Sequence, residues 1–285
     1  MTLREKQPGM QTGINPRRLS LNTATIGNQW DLGKCIEACE RYGFGGIAPW
    51  RNELQKYGVN RAATQIKNAG LEVTGLCRGG WFTAEGALSN KVMDSNYRAV
   101  DEALEIGANC LVMVVGGLSP GSKDIDRARE MVLEGLNKTL QYARQNNMPV
   151  AIEPLHPMYA ADRACINTLA QALDICDALG EGIGVAVDVY HIWWDPTLAE
   201  QITRAGAHRL LAFHICDWLV PTRDILSDRG MMGDGVIDIP QIHGMMEKSG
   251  YHGMSEVEIF SAEHWWKKSG DEIMETIVER AAVHC

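Results

Sequence analysis

Eight short apolar or β-branched runs alternate with eight amphipathic stretches along this chain, and no other feature narrows its fold as far. The strand-like runs fall at 19–26, 45–50, 71–77, 110–115, 149–153, 183–188, 210–216 and 254–260. The helical stretches fall at about 30–42, 52–69, 91–107, 122–147, 167–179, 197–206, 238–249 and 270–282. Within 52–69, Leu54, Tyr57, Ala62, Ile66 and Ala69 recur at near-helical spacing, and Gly70 supplies the stop. Gly43, Gly107, Gly180 and Gly250 stand in the same place before other strands. A parallel strand can be reached only through a crossover, so strand–helix alternation implies a parallel sheet, and eight units are enough to close it. The expectation is an α/β protein with a single (β/α)8 TIM barrel over 19–285, preceded by a polar leader at 1–18. A length of 285 residues fits, since about 250 suffice for such a barrel. No linker or low-complexity tract divides the chain.

Composition removes several alternatives. The net charge of −9 repels polyanions, so nucleic acid is not an expected partner. No run reaches 18 apolar residues, and the start, Met-Thr-Leu-Arg-Glu-Lys, has no apolar core, so neither a membrane span nor a signal peptide is expected. Eight cysteines without a CxxC pair read as reduced, mostly buried small hydrophobes in a cytoplasmic protein.

Four of the later runs end on a metal-ligating residue type. Glu153 ends Pro149–Glu153, Asp188 ends Gly184–Asp188, His214 ends Leu210–His214, and Glu258 closes Ser255–Glu258. Their separations of 35, 26 and 44 residues each match about one strand–helix unit. Alternate strand residues share a face, which puts Ala151, Ala186 and Ala212 beneath three of them, as a narrow barrel interior requires. Carboxylates converging at a barrel mouth must be protonated or neutralised, and a divalent cation neutralises them at neutral pH. Three carboxylates and an imidazole suit one Mn2+ ion best, with Mg2+, Co2+ or Zn2+ also accommodated. Glu256 shares a face with Glu258 one layer deeper and competes with it for the fourth ligand position. Asp217, three residues after His214, is placed to orient that imidazole.

The segments Ala151-Ile152-Glu153-Pro154, Val187-Asp188-Val189-Tyr190-His191, Phe213-His214-Ile215-Cys216-Asp217 and Val257-Glu258-Ile259-Phe260 resemble the metal-site segments of the xylose-isomerase-like TIM-barrel superfamily. The nearest flavour is its sugar phosphate isomerase/epimerase group, which includes inosose isomerases and ketose 3-epimerases. The resemblance implies metal ligation by Glu153, Asp188, His214 and Glu258, with Glu153 and Glu258 also moving the substrate proton. It further implies substrate contacts by His191 and Arg229.

The remaining candidates rest on position alone. His156, in the proline-flanked loop after the fifth run, and Trp50 and Trp81, after the second and third, are expected substrate contacts. Arg51, Arg78 and Arg229 are the candidate cations. Trp193-Trp194 and Trp265-Trp266 are read as loop packing or an oligomer contact, and Met231-Met232 as core or lid filler. Gly233-Asp234-Gly235 is read as a turn, because no strand precedes it to make a phosphate cradle. Gly116-Gly117 is likewise read as a tight turn rather than a dinucleotide fingerprint. The long stretch Trp218–Gly235 after the seventh run is where a barrel carries substrate contacts or a lid.

The leading expectation is a metal-dependent isomerase or epimerase of a keto sugar or keto cyclitol, working by proton abstraction through an enediolate. The alternative is a lyase or dehydratase that expels a β-leaving group on the same scaffold. An endonuclease-IV-like DNA-repair enzyme would need extra histidines and a basic groove, and a barrel that only binds sugar would not need the full ligand set. A non-phosphorylated carbohydrate and a homodimer or homotetramer complete the expectations.

Overall fold

The computed structural model describes residues 13–85 and 87–285. Eight parallel strands form the inner wall: β1 (Leu19–Asn22), β2 (Gly46–Ala48), β3 in two pieces (Glu72–Val73 and Leu76–Gly80), β4 (Leu111–Val114), β5 (Val150–Ile152), β6 (Ile183–Asp188), β7 (Leu210–Ile215) and β8 (Ser255–Val257). Each pairs with its sequence neighbours, and β8 pairs with β1. The first piece of β3 pairs with β2 and the second with β4. Since only Thr74 and Gly75 separate the pieces, the ring closes there, helped by a bridge between Trp50 and Cys77. The barrel expected from the alternation is therefore present.

Capping explains why the helices start where they do. The side chains of Asp31, Asp124, Asp238 and Ser269 each accept a first-turn amide, and Thr168 with Gln171 forms a capping box. The stretch 52–69 divides at Gly58 into Arg51–Tyr57 and Val59–Asn68. The helix at Leu198–Arg209 breaks at Gly206, whose φ of 59° departs from the helical region. The run 19–26 is strand only to Asn22. Asn22 then accepts the Ala24 amide at 3.1 Å and turns Thr23–Ile26 into a buried 3-10 helix, which an apolar run cannot distinguish from a strand.

Two apolar layers position the site. Outside the sheet, Leu19, Leu21, Ile47, Val150 and Ile152 pack under the helices with no exposure, each worth roughly 1.5–3 kcal/mol of transfer free energy. Inside, the filling is small: Cys77, Cys110, Val112, Ala151, Ala186 and Ala212. The three alanines occupy the layer expected beneath the polar strand ends. All eight cysteines are free and buried. Trp265 and Trp266 donate to Asp234 and the Ala24 carbonyl, and Trp194 to the His191 carbonyl, so these aromatic pairs pack within the chain. Among the described residues no helix is long and apolar enough to cross a membrane.

Candidate metal centre

At the C-terminal rim, four strand ends deliver four side chains to one point. Asp188 is the last residue of β6 and lies in register with His214, which in turn lies in register with Glu256. Glu153 and Glu258 sit one residue past β5 and β8, where their backbone N–H groups donate to the Met113 and Ile215 carbonyls at 3.1 Å each. One ligand atom from each of Glu153, Asp188, His214 and Glu258 lies within 4.8 Å of all the others, and all four residues are buried. Nδ1 of His214 is 2.9 Å from Glu153 Oε1 and 3.8 Å from Glu258 Oε2.

The register sets Glu256 and Glu258 at different depths. Glu256 lies one layer down, where Asn22 Nδ2 and Thr74 Oγ1 each donate to it at 2.8 Å and Ser20 backs the threonine. Glu258 is the carboxylate that joins the cluster, with Asn22 Nδ2 2.9 Å from its other oxygen. His214 Nε2 makes no hydrogen bond and faces Glu256 Oε1 at 3.5 Å. One imidazole nitrogen thus faces the cluster and the other an outer carboxylate, the disposition of a metal-ligating histidine.

The electrostatics point the same way. Burial pushes the Glu258 carboxyl up to about 8, with Arg229 opposing and the negative Glu153 adding to the rise. Burial also works against ionisation of Asp188, but Arg229 and the two histidines outweigh it and hold that group low. For His214 burial disfavours the proton, while Glu256, Glu153 and Glu258 together lift it well above its ordinary value. Arg229 contributes the nearest fixed cation: Nη1 donates to Asp188 Oδ2 at 2.9 Å and Glu258 Oε2 at 3.1 Å. Three crowded carboxylates with a single imidazole and one arginine are a donor set that fits a hard or borderline divalent ion such as Mn2+, Mg2+, Co2+ or Zn2+.

A family model for the xylose isomerase-like TIM barrel matches residues 36–276. The chain belongs to that family. A protein named SMc04130 from Sinorhizobium meliloti 1021 has a crystal structure with 56% identity and a TM-score of 0.93, over 95% of this chain and 99% of that one. An inosose isomerase of Halalkalibacterium halodurans is 24% identical over 91% of this chain and 93% of its own. The crystal structure of an IOLI protein with a zinc atom superposes with a TM-score of 0.79 at 19% identity, over 94% of this chain and 99% of that one. This last likeness shows the shared fold.

Over Glu153 and Glu258, this xylose isomerase-like barrel opens to solvent through a narrow pocket of about 40 Å³. Trp50, His191 and Arg229 line it as expected. Trp50 Nε1 is anchored on Asn22 Oδ1 at 2.9 Å and its ring stands edge-on to Phe260. Burial drives the His191 pKa down to about 4, and Nε2 meets Arg229 Nη2 at 3.2 Å; accepting that bond would leave a proton on Nδ1. Trp81 stands further out, 37% exposed. His156 does not reach the pocket lining: its Nδ1 accepts the Met158 amide at 3.2 Å and its ring packs on Trp218 and Trp194. Arg51 is committed to Glu102 at 2.6 Å.

Asp217 does not orient His214. Its Oδ1 accepts the Trp218 and Ile237 amides at 2.9 and 3.0 Å, and its Oδ2 the Gly233 and Gly235 amides at 3.0 and 2.8 Å. The Gly-Asp-Gly segment is accordingly a turn that spends its amides on Asp217, and through it the loop bearing Arg229 is folded back over the site. The pair Gly116-Gly117 also does more than turn. A Cβ on Gly117 would stand 2.4 Å from the Ala161 carbonyl oxygen, so only glycine lets the loop after β5 lie against β4.

Sequence reasoning missed Asn22, Tyr159, Arg163 and Phe260. Asn22 obeys the same strand-end rule as Glu153, Asp188, His214 and Glu258, and drawing its run on to Ile26 concealed it. Tyr159 and Arg163 come from an irregular loop and carried no periodic signal.

Proposed function

We propose that this chain is a divalent-metal-dependent isomerase or epimerase of a keto sugar or keto cyclitol. The observation that carries the reading is the convergence of Glu153, Asp188, His214 and Glu258 within 4.8 Å, with Glu153 and Glu258 opening onto one pocket. These four residues would hold the ion. When bound, a divalent cation supplies Lewis-acid polarisation of a substrate carbonyl and acidifies the neighbouring C–H. Glu153 and Glu258 both line the pocket, so an oxygen of either is available to take a proton from that carbon and return it. Return to the opposite face of the same carbon epimerises; return to the adjacent carbon isomerises. His191 offers Nδ1–H as a donor to a substrate oxygen, and Trp50 offers an apolar face for a ring. The similarity to an inosose isomerase over 91% of the chain supports a substrate of this class.

The test is metal analysis of the purified protein followed by solvent deuterium exchange into keto sugars and inososes with Mn2+ restored. About one ion per chain and deuterium washed into substrate is the expected result. Loss of water or of an aglycone instead would make the enzyme a lyase, and failure to take up any divalent ion would end the reading.

A further inference from the structure

Three arginines line the pocket, Arg78, Arg163 and Arg229. Arg229 is matched to Asp188 and Glu258. Arg78 and Arg163 are in no such pair. Among the described residues neither guanidinium has a carboxylate partner or a hydrogen bond, whereas other shielded arginines are matched: Arg51 to Glu102 at 2.6 Å, Arg209 to Asp177 at 3.1 Å.

Both side chains are placed by backbone features rather than left to wander. Arg78 is the extra residue where the β3–β4 register shifts, between Cys77 opposite Val112 and Gly79 opposite Met113. Such a bulge re-aims a side chain. Its guanidinium lies 4.7 Å from the Trp81 ring and 5.7 Å from the Trp50 ring, so two aromatics flank the fork without occupying its donors. Arg163 lies over Tyr159 at 5.6 Å. Its carbonyl accepts the Gly116 amide at 2.9 Å, and Gly117 admits the neighbouring Ala161 backbone at close range. Asp224, whose titration Arg163 influences, is turned to the Leu226 and Ser227 amides at 2.9 and 2.7 Å. Burial draws the Arg78 pKa down and the charge of Arg163 adds to the fall, against the opposing influence of Cys77, Glu153 and Glu258. Holding two part-buried cations without hydrogen-bond partners at one opening is unfavourable until an anion arrives between them.

We infer that the substrate carries an anionic group, a carboxylate or a phosphate, which Arg78 and Arg163 grip at the mouth of the pocket. The inference rests on the proposed function only in placing the other end of the substrate over Glu153 and Glu258. The planar guanidinium matches both anions by paired N–H···O bonds, so arginine rather than lysine is the fitting residue. Among substrates of the proposed class, those bearing such a group then bind more tightly than those without it.

The experiment compares D-fructose with D-fructuronate and with D-fructose 6-phosphate, and adds inorganic phosphate as a bare anion. Binding is followed by calorimetry and by tryptophan fluorescence, since Trp50 and Trp81 flank Arg78. Each titration is run with and without Mn2+, at low and high NaCl. The expected result is at least tenfold tighter binding of one anionic sugar than of fructose, lost at high salt, and lost in Arg163→Met and in Arg78→Met with Mn2+ uptake unchanged. The sugar that wins identifies carboxylate or phosphate. Arg163 stands on a partly exposed loop, so its variant tests the idea even if Arg78→Met fails to fold. Equal or undetectable binding of every anion by the wild type, or an anion preference that survives Arg163→Met, overturns the inference. Loss of Mn2+ uptake and of deuterium exchange would instead strike the functional reading, and the anion preference remains measurable in metal-free protein.

Discussion

Asp217 is the position where a single atom change tests the architecture of the site. Its two carboxylate oxygens accept four backbone amides, from Trp218, Gly233, Gly235 and Ile237, at 2.8–3.0 Å. Asp217→Asn keeps one acceptor oxygen and replaces the other with an amide donor. Two of the four N–H groups then face a donor, whichever way the amide is turned. A buried N–H without an acceptor costs about 1–3 kcal/mol, so the substitution should cost about 4 kcal/mol. Unfolding entropy near 60 °C is about 2.1 cal/mol/K per residue, or about 0.6 kcal/mol/K for a chain of this length, which converts that loss to a Tm lower by about 7 °C. Calorimetry and urea denaturation read the change directly. Trypsin reads its location, because Arg223 and Arg229 lie inside the loop that Asp217 ties down and cleavage there should accelerate. A Tm within a degree of wild type with an unchanged tryptic pattern would refute the reasoning. Weakened Mn2+ binding at unchanged Tm would instead point to a role on His214.

Other perturbations bear on separate parts of the structure. Glu258→Gln should abolish Mn2+ uptake, whereas Glu256→Gln, which alters the outer partner of His214 and its bonds to Asn22 and Thr74, should weaken it by about 10–100-fold; calorimetric titration separates the two. Gly117→Val forces a side chain to within 2.4 Å of the Ala161 carbonyl oxygen and should lower stability by about 1–3 kcal/mol while weakening anion binding through the displaced Arg163 loop; a Tm equal to wild type would contradict the close approach. Burial raises the Cys176 thiol to about 11 and the Cys285 thiol to about 12, against an ordinary value near 9. The native state therefore binds more protons than the unfolded state between those limits, so stability should fall as pH climbs from about 9 to 11. A denaturation midpoint that holds constant over that range would remove the effect, and a thiol reagent at pH 8 should find the native cysteines slow and the unfolded ones fast.

The barrel was legible because two periods alternate in the chain. Strand runs such as 183–188 are bounded by glycine and followed by helical spacing, and closure follows from counting units. The strand ends were legible for a related reason: a side chain at the last position of a parallel strand has only the C-terminal rim to occupy. Ala151, Ala186 and Ala212 mark the same face, since the interior below is filled by small side chains. Where the chain leaves regular geometry that logic stops. His156 lies as close to Glu153 in sequence as His191 does to Asp188, yet His191 lines the pocket and His156 caps a turn, because His191 sits within the helical turn Val189–Ile192 and His156 is held as the N-cap of the turn that Pro157 begins.

The two glutamates of β8 show where the boundary lies. Period-two spacing puts Glu256 and Glu258 on one face and says nothing about depth, which is set by pairing with β1 and β7. Ser20 and His214 stand opposite Glu256, and Asn22 and Thr74 arrive from β1 and the break in β3 to donate to it. Neutral donors satisfy that lower carboxylate without a metal. Glu258 has Asn22 on one oxygen only; the other faces Arg229 and the cluster. The two carboxylates are thus distinguished by what their neighbours already supply. Asn22 and Thr74 lie more than 180 residues away along the chain, and only the closed ring brings them there.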